Sequence, residues 1–502
     1  MGVTFTETDQ TFVARKEAGM LLAFVGKARR GPTTEDEGGP VELKSETDVD
    51  KHLGAGSATY NAPGIIKYVL GKGAVVKFVR AILAGTTATR TLPDIGAISA
   101  LRIDARNDGT WGNLISVTIA ADPSGDSALF ALTLTFSEQP TLNATYYNLS
   151  MDPTLANFVE NVINDVSPLI RVTALTTVRP ANAGPLALTG GTINDAATAT
   201  EYQALLTLFD NERYLTHLSS DSGDGTIWAN QTTYCSTRAT ITQLQSVPFG
   251  YTADQAAQYR QGTGGYGFSY VDSSYTALYW GDVKTKRNGS VMPTPEWCHP
   301  LVLGKYATKM ATGKPWFAVA GATRGRIAEG YGVSVNVLGK TAETTLTGLE
   351  VNPIVTDSDP DTGAKITKIA ESLTCQRARS QRRFAEIREL LNWIKRRFLY
   401  HQTAIEFEPN DPQAWRNLYV RMKKDLDECG QNRGLDGVEG SGYQYVGDQD
   451  CITRQQATYN SQDDLADGKY KVAIYIVGQP GIRDIALNTV LTKTSAQFAE
   501  AD

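Results

Sequence analysis

Residues 20–26 read Met20-Leu21-Leu22-Ala23-Phe24-Val25-Gly26, an apolar run with no polar position, cut off by the loop Lys27-Ala28-Arg29-Arg30-Gly31-Pro32. A run this short, uniformly apolar and ended by a Gly/Pro loop suits a strand covered on both faces. The same pattern returns at Ala74-Val75-Val76-Lys77-Phe78-Val79-Arg80. Between the two lie a short helix over 45–53, with Ser45 placed to cap it, and a second helix over 65–70 closed by Gly71. Two buried strands separated by helices make an α/β unit.

Working outward, residues 1–20 read as an extended arm, because Val3 and Phe5 alternate with Thr4 and Thr6. Residues 21–95 form the N-terminal α/β part of a core. Residues 96–188 change character: 99–105, 114–120 and 130–136 are short strand candidates, joined first by the turn 107–113, so a β-rich domain is set into the chain. Helix signals at 201–208 and 233–244, and strand signals at 214–218 and 316–320, place a second α/β domain over 189–355. The polar stretch 355–366 is a linker or hairpin. A C-terminal domain over 366–484 carries the clearest helix, where Ile387, Leu390, Leu391, Ile394 and Phe398 form one apolar stripe. Residues 405–409 read as extended, as the residue before a proline should be. Asp411 is placed to cap a helix whose first residue is Pro412 and whose apolar face is Trp415, Leu418, Met422 and Leu426. Strands over 471–477 and 485–492 end the chain, the last within an arm over 485–502 that contains Ile485, Leu487 and Val490.

The 502 residues, 41% hydrophobic and 20% charged, exclude a disordered or collagen-like chain. The net charge of −6 argues against a general nucleic-acid binder. No basic segment followed by an apolar run marks a secretory leader, and no apolar stretch approaches the ~20 residues of a membrane span. Cys235, Cys298, Cys375, Cys429 and Cys451 are widely spaced with no CxxC, which suits free thiols.

The signs of chemistry are sparse. Gly262-Thr263-Gly264-Gly265-Tyr266-Gly267 matches GxGxxG, but the segment before it reads as helix and the one after as extended, the reverse of a dinucleotide loop. No P-loop, HExxH or Gly-x-Ser-x-Gly occurs, and His52, His217, His299 and His401 form no close pair. No catalytic, cofactor or metal residue is therefore assigned, and no cofactor is expected. One charge cluster stands out over 377–397, with Arg382, Arg383, Lys395, Arg396 and Arg397 among its cations. It reads either as a solvated face or as a docking face for an acidic partner.

Several stretches in order resemble contractile tail sheath proteins of bacteriophages and related contractile machines. They are 23–32 with its FVG and GP, 71–80 with its VVKFVR, Gly109-Thr110-Trp111-Gly112-Asn113, Leu188-Thr189-Gly190-Gly191, and Phe407-Glu408-Pro409-Asn410-Asp411 followed by Trp415. The N-terminal PGVY-like pattern of the family is reduced here to Val3-Thr4-Phe5-Thr6-Glu7, and its C-terminal P-x-x-P to Pro480. The resemblance implies an α/β core with a subtilisin-like middle domain, an inserted β-sandwich-like domain, and terminal arms that add strands to a neighbour's sheet. It implies a structural, non-enzymatic subunit that polymerises in six-fold rings around a tail tube protein. Baseplate and tail terminator proteins are its other partners, with no nucleic acid and no membrane anchoring. Assembly is expected in the host cytoplasm, and the mature location is the virion. It also implies that some of Arg382, Arg383, Lys395, Arg396 and Arg397 face acidic residues of the tube protein, and that Val3, Phe5, Ile485, Leu487 and Val490 sit in the linking arms. A sheath of an injection system or bacteriocin, and an α/β enzyme, are the alternatives.

Overall fold

The computed structural model describes residues 19–265, 270–287, 291–333, 340–358, 362–436, 442–446 and 467–481. Its centre is one eight-stranded sheet. From one edge to the other its strands are Lys365–Ile369, Val351–Ser358, Thr276–Trp280, Thr242–Ser246, His217–Ser220, Leu21–Gly26, Val75–Arg80 and Val41–Leu43. The inner six run parallel, and the two edge strands are antiparallel to their neighbours. Side chains alternate across the sheet, as the two-residue period demands. Leu22 and Phe24 face a core containing the helices Ala62–Leu70 and His299–Ala311, while Ala23 and Val25 face Leu218, Ile227 and Phe209.

The expected second α/β unit over 189–355 is therefore not a separate sheet. Its strands continue the sheet begun by Leu21–Gly26, which pairs with His217–Ser220. Two of these strands escape a hydrophobicity reading. His217-Leu218-Ser219-Ser220 and Thr242-Gln243-Leu244-Gln245-Ser246 are fully buried yet mostly polar. They are stable because their polar atoms bond inside the core. Ser219 Oγ donates to the Leu244 carbonyl at 2.8 Å, and Gln243 Oε1 accepts from Thr232 at 2.6 Å and Thr276 at 3.1 Å. Other expectations are corrected too. The helix placed at 233–244 is the end of Gly225–Arg238 followed by Thr242–Ser246, and the strand placed at 316–320 is turn and bend. The stretch 355–366 falls largely in the hairpin of Val351–Ser358 and Lys365–Ile369.

Between Ala84 and Asn194 the chain leaves this sheet and builds two others, of three and four strands, around a core that includes Ile103, Trp111, Val117, Leu134 and Ile170. The outgoing strand Ala84–Thr86 and the returning strand Thr192–Asn194 pair antiparallel, so both crossings lie side by side. The sequence motifs meet at this neck. Asn113 Nδ2 donates to the Gly191 carbonyl and its Oδ1 accepts from Gly191 N–H, both at 2.9 Å. Arg80 Nη1 donates to the Asp108 carbonyl at 2.6 Å, and Trp111 Nε1 to the same oxygen at 3.2 Å. Arg30 lies over the Trp111 and Phe136 rings at 5.6 and 5.1 Å.

Gly191 has no room for a side chain: a Cβ there would overlap the Gly109 carbonyl oxygen and lie 3.1 Å from Ala88 Cβ. Gly191→Ala is expected to destabilise the chain by about 1–3 kcal/mol, as overpacking typically does, measured by chemical denaturation. Gly190→Ala has open space but a left-handed backbone, φ +86, and its smaller cost should come from strain alone.

Candidate functional site and assembly surfaces

The helices Ala385–Gln402 and Pro412–Gln431 pack against each other and hold Lys395, Arg396, Arg397 and Trp415 of the candidate residues, together with both apolar stripes. Leu390 and Ile394 meet Leu418, Met422 and Leu426, with Trp393 set against Trp316. The first helix also docks on the central sheet, and it does so with charge. Glu389 meets His217 at 3.2 Å, both side chains buried. Burial alone would raise the Glu389 carboxyl, but His217, Lys309 and Arg396 outweigh it and hold it at about 2. Asn392 Nδ2 donates to Thr242 Oγ1 at 2.9 Å, and Arg388 bonds Ser274 and lies 4.1 Å over the Tyr275 ring.

This docking narrows the set of cations expected to face a tube. Arg396 is fully buried and donates to the Thr240 carbonyl at 2.6 Å, while Lys395 donates to the Ala239 carbonyl at 3.1 Å. Both cations serve carbonyls at the C-terminal end of Gly225–Arg238, where a helix leaves acceptors unsatisfied and its dipole favours positive charge. Arg397 makes a two-pronged bond to Asp425 at 2.7 and 3.0 Å, and His401 meets the same carboxylate at 2.6 Å. Arg383 lies 3.6 Å from Glu350. Of the five, only Arg382 is exposed. The exposed cations lie elsewhere: Arg377 and Arg379 on the preceding loop, and Arg416, Arg421 and Lys424 on the outer face of Pro412–Gln431. The i, i+5, i+8 spacing of the last three is legible in the sequence once that helix is assigned.

The Phe407–Trp415 motif is mostly a structural lock. Asp411 caps its helix by accepting from Ala414 N–H at 2.9 Å, with Pro412 at the first position. Asn410 Oδ1 accepts from Trp415 Nε1 at 2.7 Å, and Trp415 stacks on Tyr470 at 5.1 Å. The extended backbone expected over 405–409 is instead a series of turns, because Glu408 N–H bonds back to Ile405. That fold leaves Phe407 left-handed, φ +68, and 100% exposed. A non-glycine residue held there costs of order 1 kcal/mol.

Ser219 and Ser246 both contact the ring of His299, at 2.9 and 3.2 Å, but all three are buried in the sheet core. Burial lowers His299 to about 3, so it stays neutral. Gly262 of the GxGxxG match is the left-handed cap of Ala253–Gln261, and residues 266–269 lie outside the described residues. Among the described residues no group of His, Cys, Asp and Glu could hold a metal, and no helix is long and apolar enough to cross a membrane. Cys235, Cys298, Cys375 and Cys429 are free and buried, and Cys451 lies outside the described residues. The arm residues Val3, Phe5, Ile485, Leu487 and Val490 also lie outside them. The described chain near the C-terminus forms a two-stranded antiparallel sheet of Tyr443–Val446 and Ala473–Ile476.

The Asp425 cluster carries a pH dependence. Burial alone would raise Asp425, but the bonds and charges of His401 and Arg397 hold it below the usual carboxylate range. Its contribution is therefore present above the unfolded value of about 3.9 and lost as pH falls through the lower folded value. Asp425→Asn is expected to cost about 3 kcal/mol at neutral pH, since it strips a buried pair of one partner. The gap to the native chain, followed by urea unfolding, should close below pH ~4.

No protein-family model matches the sequence. No curated relative matches it either. Solved structures do. A sheath tail protein from Listeria innocua is 14% identical, with a TM-score of 0.60 over 85% of this chain and 88% of its own. A sheath tail protein from Desulfitobacterium hafniense is 13% identical, with a TM-score of 0.55 over 89% and 93%. The anti-feeding prophage helical sheath in its contracted state is 14% identical, with a TM-score of 0.53 over 97% and 98%. The mixed α/β fold of this chain is thus similar to that of the sheath tail proteins.

Proposed function

We propose that the chain is a structural subunit of a contractile tail sheath, which polymerises helically around a tail tube and contracts to drive the tube through a host cell envelope. The observation that carries this reading is the likeness to a contracted helical sheath over 97% of this chain and 98% of that one. A likeness running nearly end to end matches a whole subunit rather than a shared module. In this reading the core is subtilisin-like in fold only, residues 96–188 are an inserted sandwich-like domain, and the partners are the tube, baseplate and terminator proteins. The particle is a virion whose sheath serves genome ejection. A sheath of an injection system or bacteriocin is the second reading, favoured by the likeness to the anti-feeding prophage sheath.

The physical logic supports it. A two-stranded sheet is marginal by itself, and among the described residues Tyr443–Val446 with Ala473–Ile476 is such a sheet. Arms from neighbouring copies, 1–20 and 485–502, would extend it by β-augmentation, with main-chain hydrogen bonds as the link. Tube contacts fall to the exposed cations Arg377, Arg379, Arg382, Arg416, Arg421 and Lys424. Exposed ion pairs contribute ~0.2–1 kcal/mol each, so an array can hold an extended state while each pair breaks readily.

Electron microscopy of the purified chain tests the assembly: hollow helical polymers are expected without any substrate, and a strictly monomeric chain with enzymatic turnover would favour the α/β enzyme. Removing residues 1–18, or all after 482, should leave folded subunits that make no normal sheath. Charge reversal at Arg416, Arg421 and Lys424 should abolish tube-templated assembly while tube-free polymers still form. High salt should mimic it, because screening shortens to ~3 Å at 1 M.

A further inference from the structure

The loop Glu406-Phe407-Glu408 has an unusual set of properties. Phe407 is fully exposed and held left-handed, although the rest of its motif is bonded within the chain. Its two flanking carboxylates are exposed and make no ion pair among the described residues. A fully exposed aromatic with acidic flanks and no partner among the described residues of its own chain has the character of an anchor. The chain also carries a complementary cleft of about 560 Å³, on different elements, beside the first turns of Ala62–Leu70 and His299–Ala311. Its apolar wall includes Ile65, Phe249, Trp297 and Pro300. Phe249 is 56% exposed there. Arg287 lines the cleft, with exposed Lys284 and Lys286 just before it, and the one carboxylate of the lining, Glu296, is bonded to Arg287 at 2.9 Å.

We propose that Phe407 of one copy seats in the Phe249–Trp297 cleft of a neighbouring copy, with Glu406 and Glu408 against Lys284, Lys286 and Arg287. The inference rests on the sheath reading in taking a second copy as the occupant. Because knob and cleft are different surfaces of the same chain, the contact is heterologous, the class from which rings and open helices are both built, as a helical polymer requires.

Two measurements test it. Phe407→Ala should leave thermal unfolding unchanged, since the ring touches nothing in its own copy, yet raise the concentration needed for polymerisation roughly tenfold or more, the effect of losing one buried aromatic. Glu408→Lys should do likewise, and Lys286→Glu with Arg287→Glu should restore it. Separately, in a Cys451→Ser background, a Phe407→Cys chain mixed with a Phe249→Cys chain should give a disulfide-linked dimer that neither gives alone. Wild-type-like polymerisation of Phe407→Ala with no mixed cross-link overturns the contact and leaves the sheath reading standing. A mixed cross-link from a chain that never polymerises keeps the contact and retires the sheath reading. Loss of tube binding with unchanged self-assembly would assign Phe407 to the tube protein and overturn the self-contact.

Discussion

Everything else in the molecule depends on the parallel pairing of Leu21–Gly26 with His217–Ser220, Leu22 opposite His217 and Val25 opposite Ser220. It joins residues almost two hundred positions apart. A parallel strand pair needs a crossover and cover on both faces. Here the whole excursion from Ala84 to Asn194 is contained within that crossover. The excursion is tolerable because its two ends are zipped together by Ala84–Thr86 and Thr192–Asn194, so the sheet sees only a narrow neck. Arg30, Arg80 and Trp111 then fix the neck against the sheet edge.

A second consequence is the polar interior. His217, sitting on that strand, is reached by Glu389 of the C-terminal helix pair. A buried polar contact of this kind is weak as a source of stability, because desolvation offsets the attraction. Its value is positional: Glu389, Asn392, Lys395 and Arg396 all find partners on or beside the sheet, which favours one register of the helix on it. Apolar packing alone would tolerate a slide along the groove. The C-terminal part is thereby keyed to the core by specific bonds.

The motif residues divide by the same logic. Asn113, Gly191, Asp411, Asn410 and Trp415 each fill a bond or a space within the chain. Phe407, within the same motif, does neither. A recurring pattern thus mixes residues that make the fold with one that the fold presents outward, and only the burial of each side chain separates them.

The sequence by itself determined the local elements whose side chains obey a single rule. The apolar strands Leu21–Gly26 and Val75–Arg80, the Ser45 and Asp411 caps, the stripe of Ala385–Gln402 and the strands Ser99–Ala105, Ile115–Ala121 and Phe130–Phe136 of the β-rich part were legible, because burial, capping and periodicity act over a few residues. Tertiary structure alone decided the rest. Polar strands such as Thr242–Ser246 are stable only where another element supplies their hydrogen bonds. One sheet rather than two followed from a pairing across the excursion. Which arginines face outward was settled by carbonyls at Ala239 and Thr240, donors' partners more than a hundred and fifty residues away from Lys395 and Arg396. Charge density can be counted along a chain, but its availability depends on what the folded chain brings within bonding distance.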